Sequence, residues 1–467
     1  MHSFRKEKYE MKQFFTLFIV LTALLSGCKE DFLDTKPNTN LVIPQRVEDI
    51  EILLDNTSIN KTGGLGHMGA DEYVFVDYAA WQGTFTATER NAYIWAKDIY
   101  DGLMTVRDWE QLYLSISFAN NALNSLDDLK LPVNSRTNNA KGWALFLRAY
   151  AYADLLKNFC LTYDEVTAQT DLGLPIRLSP AIDEIQPRAN LADTYTQVIT
   201  DLKQAAALLT SQFPEKNRNR PYKGAAYAML ARVYLSMNKY TDAEKYADSA
   251  LNLYNKLIDY NMVSTTSATP FTRTNDEAIF QTTTVGYNIV ANAVWNTEVT
   301  VNPDIINSYK PNDLRLQIFF AKNPQGNYYV KTGYFGAGAY PFSGLSVDEL
   351  YLIKAECLAR AGKTSDAMQW LNNLLVKRFK NTVPYVPLTA TNPDQALQLV
   401  LAERKKELIW RGQRWSDIKR LNKIGANITL KRVLNGKEYL LPPNDLRYAY
   451  PIPADEITYS NLIQNPR

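Results

Sequence analysis

Glu403 and Glu407 stand four residues apart in LAERKKELIWRGQRWSDIKR. On a helix that spacing puts both carboxylates on one face. Two carboxylates about 5 to 10 Å apart are the acid and base of glycoside hydrolysis. The same stretch carries Arg404, Arg411 and Arg414 within a turn or so. Guanidinium groups that close hold carboxylates ionised, whereas a general acid needs its pKa raised. The cluster therefore reads as an ion-pair network that fixes the last helix pair, with hydrolysis as the weaker alternative.

Other catalytic devices lack their residues. The 467-residue chain has two histidines and three cysteines. Only His67 lies beyond the leader, in the glycine-rich TGGLGHMG, which reads as a mobile surface loop. Zinc sites usually draw three or four His or Cys ligands, and a Ser-His-Asp or Cys-His device would have to use that one imidazole. Cys160 and Cys357 fall in apolar helical patterns and read as buried thiols.

The elements that would carry any site are mostly helical. DWEQLYLSISFANNALNSLDDL (108–129), NNAKGWALFLRAYAYADLLKNF (138–159) and ADTYTQVITDLKQAAALLT (192–210) place apolar residues at i, i+3, i+4. In YAMLARVYLSMNKYTDAEKYADSAL, residues Tyr227, Leu230, Ala231, Tyr234, Ala243 and Ala250 occupy the aromatic and small positions of a tetratricopeptide helix pair. A second copy follows 124 residues later: Tyr351, Ala355, Lys363, Asp366, Ala367 and Leu375 align with Tyr227, Ala231, Lys239, Asp242, Ala243 and Leu251. The expected fold is mainly α, with about four tetratricopeptide-like helix pairs forming an α-α superhelix, in about 108–159, 192–255, 346–380 and 395–422. An insertion in about 260–345 differs: IFQTTTVGYNIVANAVWNTEVTV alternates as short strands do, and KTGYFGAGAYPFSGL is a Gly- and aromatic-rich loop.

The N-terminus carries a processing signal. Lys12 precedes a run of about a dozen mostly apolar residues, too short to span a bilayer, which ends in Leu25-Ser26-Gly27-Cys28. That is the aliphatic-small-small-cysteine pattern of a bacterial lipoprotein signal, with Met11 the more natural initiator. Residues 1–27 are then a leader, 28–40 a lipidated tether and 41–467 a single domain. Cutting before Cys28 removes four basic and two acidic residues, bringing the formal net charge from +2 to zero. A neutral chain has no basic excess for nucleic acid, and the lipid is its only sequence-visible membrane attachment.

Several of these features together resemble one family. The chain is similar to the SusD/RagB family of Bacteroidetes outer-membrane lipoproteins. The likeness runs from Cys28 and DFLDTKP through FLRAYAYADLLKNF with DLGLPI (Gly173, Pro175) to ELYLIKAECLARAGK. It continues with Glu403, Arg404, Glu407, Leu408, Gly412, Arg414, Asp417 and Arg420, and closes on YPIPADEITYSNLIQNPR. Arg411 departs from the pattern, which usually has glutamate before the glycine. The resemblance implies a non-enzymatic protein at the cell surface of the outer membrane, with Lys29-Glu30-Asp31 as export signal. It implies capture of oligosaccharide, or alternatively of peptide, and delivery to a SusC-like TonB-dependent transporter. No cofactor is expected. Calcium stays open, since the scattered Asp residues show no EF-hand spacing.

Sugar rings stack their C–H faces on Trp and Tyr, while hydroxyls need paired donors and acceptors. Two regions offer this mixture, and the resemblance implies sites assembled from both. One holds Asp71, Tyr73, Tyr78 and Trp81; the other holds Tyr287, Asn292, Trp295, Tyr334 and Tyr340.

Overall fold

The computed structural model describes residues 44–181, 183–291 and 297–467; the leader, Cys28, the tether, Asn292 and Trp295 lie outside them. Sixteen α-helices occur among the described residues. Four precede the main array: α1 (Val47–Leu54), α2 (Leu65–Gly69), α3 (Tyr78–Gly83) and α4 (Ala87–Tyr93). The array itself begins with α5 (Arg107–Asp128), α6 (Ser135–Phe159), α7 (Leu191–Leu208), α8 (Lys223–Ser236) and α9 (Tyr240–Leu253). After α10 (Pro303–Ser308) and α11 (Arg315–Phe319) it resumes with α12 (Val347–Arg360), α13 (Thr364–Leu375) and α14 (Pro393–Glu407). Helices α15 (Arg414–Lys423) and α16 (Ala454–Tyr459) close the chain.

From α5 to α9 each helix packs on the next, α9 passes to α12, and α12 contacts both α13 and α14. The mainly helical reading is therefore correct, the packing order is consistent with tetratricopeptide-like pairs, and small residues explain the close packing. In α6 a Cβ on Gly142 would lie 2.9 Å from Leu209 and 3.1 Å from Leu208, so only glycine lets α7 approach there. The two best repeats share their turn as well as their faces. Asn238 (φ 59°) and Gly362 (φ 78°), 124 residues apart, adopt the left-handed conformation that ends the first helix. In each, the next amide reaches back five residues, Lys239 N–H to Tyr234 O and Lys363 N–H to Leu358 O, both 2.9 Å. This is the Schellman closure, and glycine and asparagine are the residues that enter it at least cost. The last expected pair differs: α14 lies on α12 and α13, whereas α15 lies against α2 and α8.

Twelve strands of two to five residues form six two-stranded sheets among the described residues. Two sheets join distant segments. β1 (Lys61–Thr62) runs parallel to β6 (Thr283–Thr284), and β2 (Tyr73–Phe75) is antiparallel to β7 (Val299–Val301). The insertion is thus stitched to residues 61–75 instead of folding by itself.

Candidate functional site

The segment from Lys61 to Ile94 and the insertion meet through the β1–β6 and β2–β7 pairs. Neither could order itself, because pairs of strands this short are marginal in water. Buried side chains hold them by their backbone amides. Asp154 of α6 accepts from Gly63 N–H (2.6 Å) and Asn158 from Gly66 N–H (3.1 Å). Asp108 of α5 accepts from Leu65 N–H (2.8 Å), and Glu89 of α4 from Ile289 N–H (3.1 Å). Glu72 accepts from Trp410 N–H (2.9 Å).

This overturns the surface-loop reading of TGGLGHMG. Leu65–Gly69 is a buried helix. Its glycines serve close approach: a Cβ on Gly63 would lie 2.5 Å from an Asp108 oxygen, and one on Gly66 3.2 Å from Trp415 Cβ. His67 is buried edge-on to the Trp410 ring, and burial pushes its pKa down to about 3, so the ring is neutral. Its Nδ1 lies 3.9 Å from Glu72, whose carboxyl is raised to about 7, first by burial and secondarily by Asp71.

The expected site residues separate into three groups. Tyr73, Tyr287 and Tyr334 are interior, which corrects their assignment as ligand faces. Tyr73 donates to Met68 O (3.0 Å) and packs on Tyr93 and Trp410. Tyr287 donates to Asp108 (2.7 Å). Tyr334 donates to Glu277 and lies 2.7 Å from the Tyr260 hydroxyl. Asp71 is likewise engaged, with Arg414 (2.7 and 3.0 Å) and Lys405 (2.8 Å). Burial would raise its pKa, but those two cations outweigh it and hold the carboxyl well below its ordinary range.

Tyr78, Trp81 and Tyr340 form the second group, at the surface. Tyr78 and Trp81 stack at 5.5 Å and 24° on α3, both half-buried, and Trp81 Nε1–H donates to Arg90 O (3.1 Å). Asp77 caps this helix by accepting from Ala80 N–H (2.7 Å). Phe85, which sequence reasoning passed over, is 82 % exposed four residues beyond Trp81. Its signal was available: a large aromatic in a three-residue stretch between two capped short helices. Tyr340 is 36 % exposed and packs against Gly286, in the segment that Glu89 anchors at Ile289. Asn292 and Trp295, the third group, lie outside the described residues.

Glu403 and Glu407 are ion-paired, as expected; Lys406 of the same helix pairs with Glu403, but the arginine partners come from the insertion and from the chain after α13. Arg315 bonds Glu403 (2.7 Å) and Glu407 (3.0 Å), and Arg378 bonds Glu407 (2.7 Å). The expected arginines turn elsewhere, Arg404 to Asp417 (2.9 Å), Arg411 to Asp348 (2.7 Å) and Arg414 to Asp71. Against the cost of burial, Arg378 and Arg315 hold Glu407 well below its ordinary pKa. Arg411, the departure from the family pattern, also covers the Tyr334 ring at 4.0 Å.

Glu277, Asp348 and Glu407 offer oxygens within 4.8 Å of one another. A cation there would have to displace Arg378, which bonds Glu277 at 2.7 and 2.9 Å, and Arg411. The donor set is already neutralised, so the residues do not fit a metal. Burial, more than the neighbouring carboxylates, raises Glu277 to about 7.

Comparison with known proteins places this architecture. Residues 31–235 match a SusD-like family described as starch-binding and associating with the outer membrane, and residues 347–467 match the SusD family. The SusD-like protein P2 of Formosa agariphila is 24 % identical over 427 residues, covering 78 % of this chain and 81 % of that protein. A SusD superfamily crystal structure from Bacteroides thetaiotaomicron superposes with a TM-score of 0.72 at 22 % identity, covering 90 % of this chain and all of that one. A laminarin-binding SusD-like protein superposes with a TM-score of 0.63 at 18 % identity, covering 90 % and 98 %. No described helix is long and apolar enough to cross a membrane.

Proposed function

The chain belongs to the SusD/RagB family, and from that premise we propose that it captures oligosaccharides at the cell surface without chemical turnover. The observation that carries this reading is the Tyr78–Trp81 stack. Its rings are fixed by the Asp77 cap and the Trp81–Arg90 hydrogen bond and still reach the surface beside Phe85. Pre-ordered aromatic faces bind sugar C–H faces with little entropy left to lose. The ion pairing of Glu403 and Glu407 supports binding without hydrolysis, because neither carboxyl is free to deliver a proton.

The mature protein is a single domain cut before Cys28 and tethered by lipid on that thiol. The domain passes ligand to a SusC-like TonB-dependent transporter, with the helical array making the contact. Ligand contact falls to Tyr78, Trp81 and Tyr340, with Asn292 and Trp295 on the same insertion. Calorimetric titration with neutral and acidic oligosaccharides and with a peptide pool tests the capture step. Saturable saccharide binding that Trp81→Ala weakens is the expected result. Release of shortened products would overturn the non-enzymatic reading, and binding confined to peptides would overturn the saccharide one. Cys28→Ser should leave the membrane fraction, and the wild type should co-purify with a large β-barrel protein from mild detergent.

A further inference from the structure

Three cations gather on residues 281–286 without a carboxylate to neutralise them. Lys61 on β1 sits opposite Thr283 and donates to its hydroxyl (2.8 Å). Arg107, at the start of α5, donates to Gly286 O (3.1 Å). Arg273 stacks on the Phe335 ring at 4.3 Å, and its carbonyl accepts from the Gln281 side chain (2.9 Å). Each is thus held by a neutral partner, and none has a carboxylate oxygen within 4.0 Å among the described residues. Arg107 and Arg273 are exposed and Lys61 is half-buried. Burial, and then the nearby Arg273 charge, lowers the Lys61 pKa, so the pairing of like charges opposes itself.

Tyr340 reaches the same segment at Gly286, whose carbonyl Arg107 holds. Phe342 bridges to Thr283 on the side of β6 away from β1, and Thr284 N–H donates to Pro341 O (3.3 Å). This brings the preceding Tyr340 over Gly286, where an added Cβ would lie 2.5 Å from its hydroxyl. A half-exposed ring on the segment that these unneutralised cations flank offers one stacking face with charge-assisted donors on the same segment. Neutral hydroxyls can use such donors but gain nothing from the uncompensated charge, whereas an anion gains both.

We infer that Lys61, Arg107, Arg273 and Tyr340 form a subsite for an acidic sugar, one carrying a carboxylate or a sulfate ester. The inference rests on the saccharide-binding reading and narrows its ligand class. The guanidinium groups take the anion's oxygens, Lys61 adds charge from the strand, and Tyr340 lies under the ring.

The test is titration of the mature protein with acidic oligosaccharides and their carboxyl-reduced or desulfated counterparts. Acidic ligand should bind more tightly than its neutral counterpart, and the preference should shrink as salt rises from about 50 to about 500 mM. Which counterpart loses affinity tells carboxylate from sulfate. Lys61→Gln, Arg107→Gln and Arg273→Gln should each weaken acidic-ligand binding roughly three- to tenfold, leaving neutral-ligand binding and the melting temperature unchanged. Equal, salt-insensitive binding of acidic and neutral ligands would overturn this subsite and leave the saccharide reading standing. Absence of any saccharide binding would overturn both.

Discussion

The helical array and the candidate binding face are built on opposite physical terms. In the array, contact is made by side chains that repeat: Ala355, Leu358, Ala367, Leu371, Leu374 and Val400 form one buried apolar cluster of α12 to α14. Each helix supplies its own backbone hydrogen bonds, so tertiary packing has only to bury an apolar stripe. The face has strands of two or three residues, its backbone amides go to Asp108, Asp154, Asn158 and Glu89, and its Glu72 takes the Trp410 amide from the scaffold. Burying those groups is costly unless their bonds are made, so its order depends on distant residues arriving together. The comparison teaches that here the candidate face is positioned by polar anchors, while the scaffold is positioned by packing.

The largest effect should come from breaking the charge network between them. Arg378→Met leaves Glu277 without its cation in the interior and Glu407 with Arg315 alone, and urea unfolding should lose about 3–5 kcal/mol. Next is an apolar truncation in the array. Leu371→Ala should cost about 2–4 kcal/mol in the same assay, with ligand affinity unchanged because no polar anchor is touched.

A third change reports on the anchors through pH. The folded Glu72 pKa of about 7 exceeds the ordinary 4.5, so the folded chain holds that proton more tightly than the unfolded one. The wild type therefore loses stability as pH rises from 4.5 to about 7. Glu72→Gln keeps an acceptor for Trp410 N–H and carries no charge. Its stability relative to wild type should climb across that window by up to about 3 kcal/mol, read from unfolding at pH 5 and pH 8. A flat difference would show that Glu72 is not a strained anchor. The smallest stability effect belongs to the face itself. Trp81→Ala should cost about 1 kcal/mol in unfolding while weakening ligand binding about tenfold or more.

Much of the scaffold was legible because its signals are local. Asn238 and Gly362, Ala243 and Ala367, Tyr227 and Tyr351 recur at one spacing, and that recurrence is a property of the chain alone. The face was legible as two regions and mislaid as residues. Tyr73 and Trp81 are both aromatic and eight residues apart, yet one is interior and the other reaches solvent. Nothing local separates them: Tyr73 is buried because β2 pairs with β7, more than 220 residues away, and Arg432 and Trp410 close over it. TGGLGHMG failed for a related reason. Glycine permits a flexible loop and also permits close approach, and only the arrival of Asp108, Asn158 and Trp415 decides between them.

The opening glutamates divide the same way. Sequence alone determined that Glu403 and Glu407 share a helix face among arginines, and that such carboxylates stay ionised. Tertiary structure decided which arginines, because Arg315 and Arg378 come from segments that no local period links to α14. Helical repeats are written in neighbouring residues, where the backbone satisfies itself. Buried charges and irregular strands are satisfied only by partners that the fold delivers.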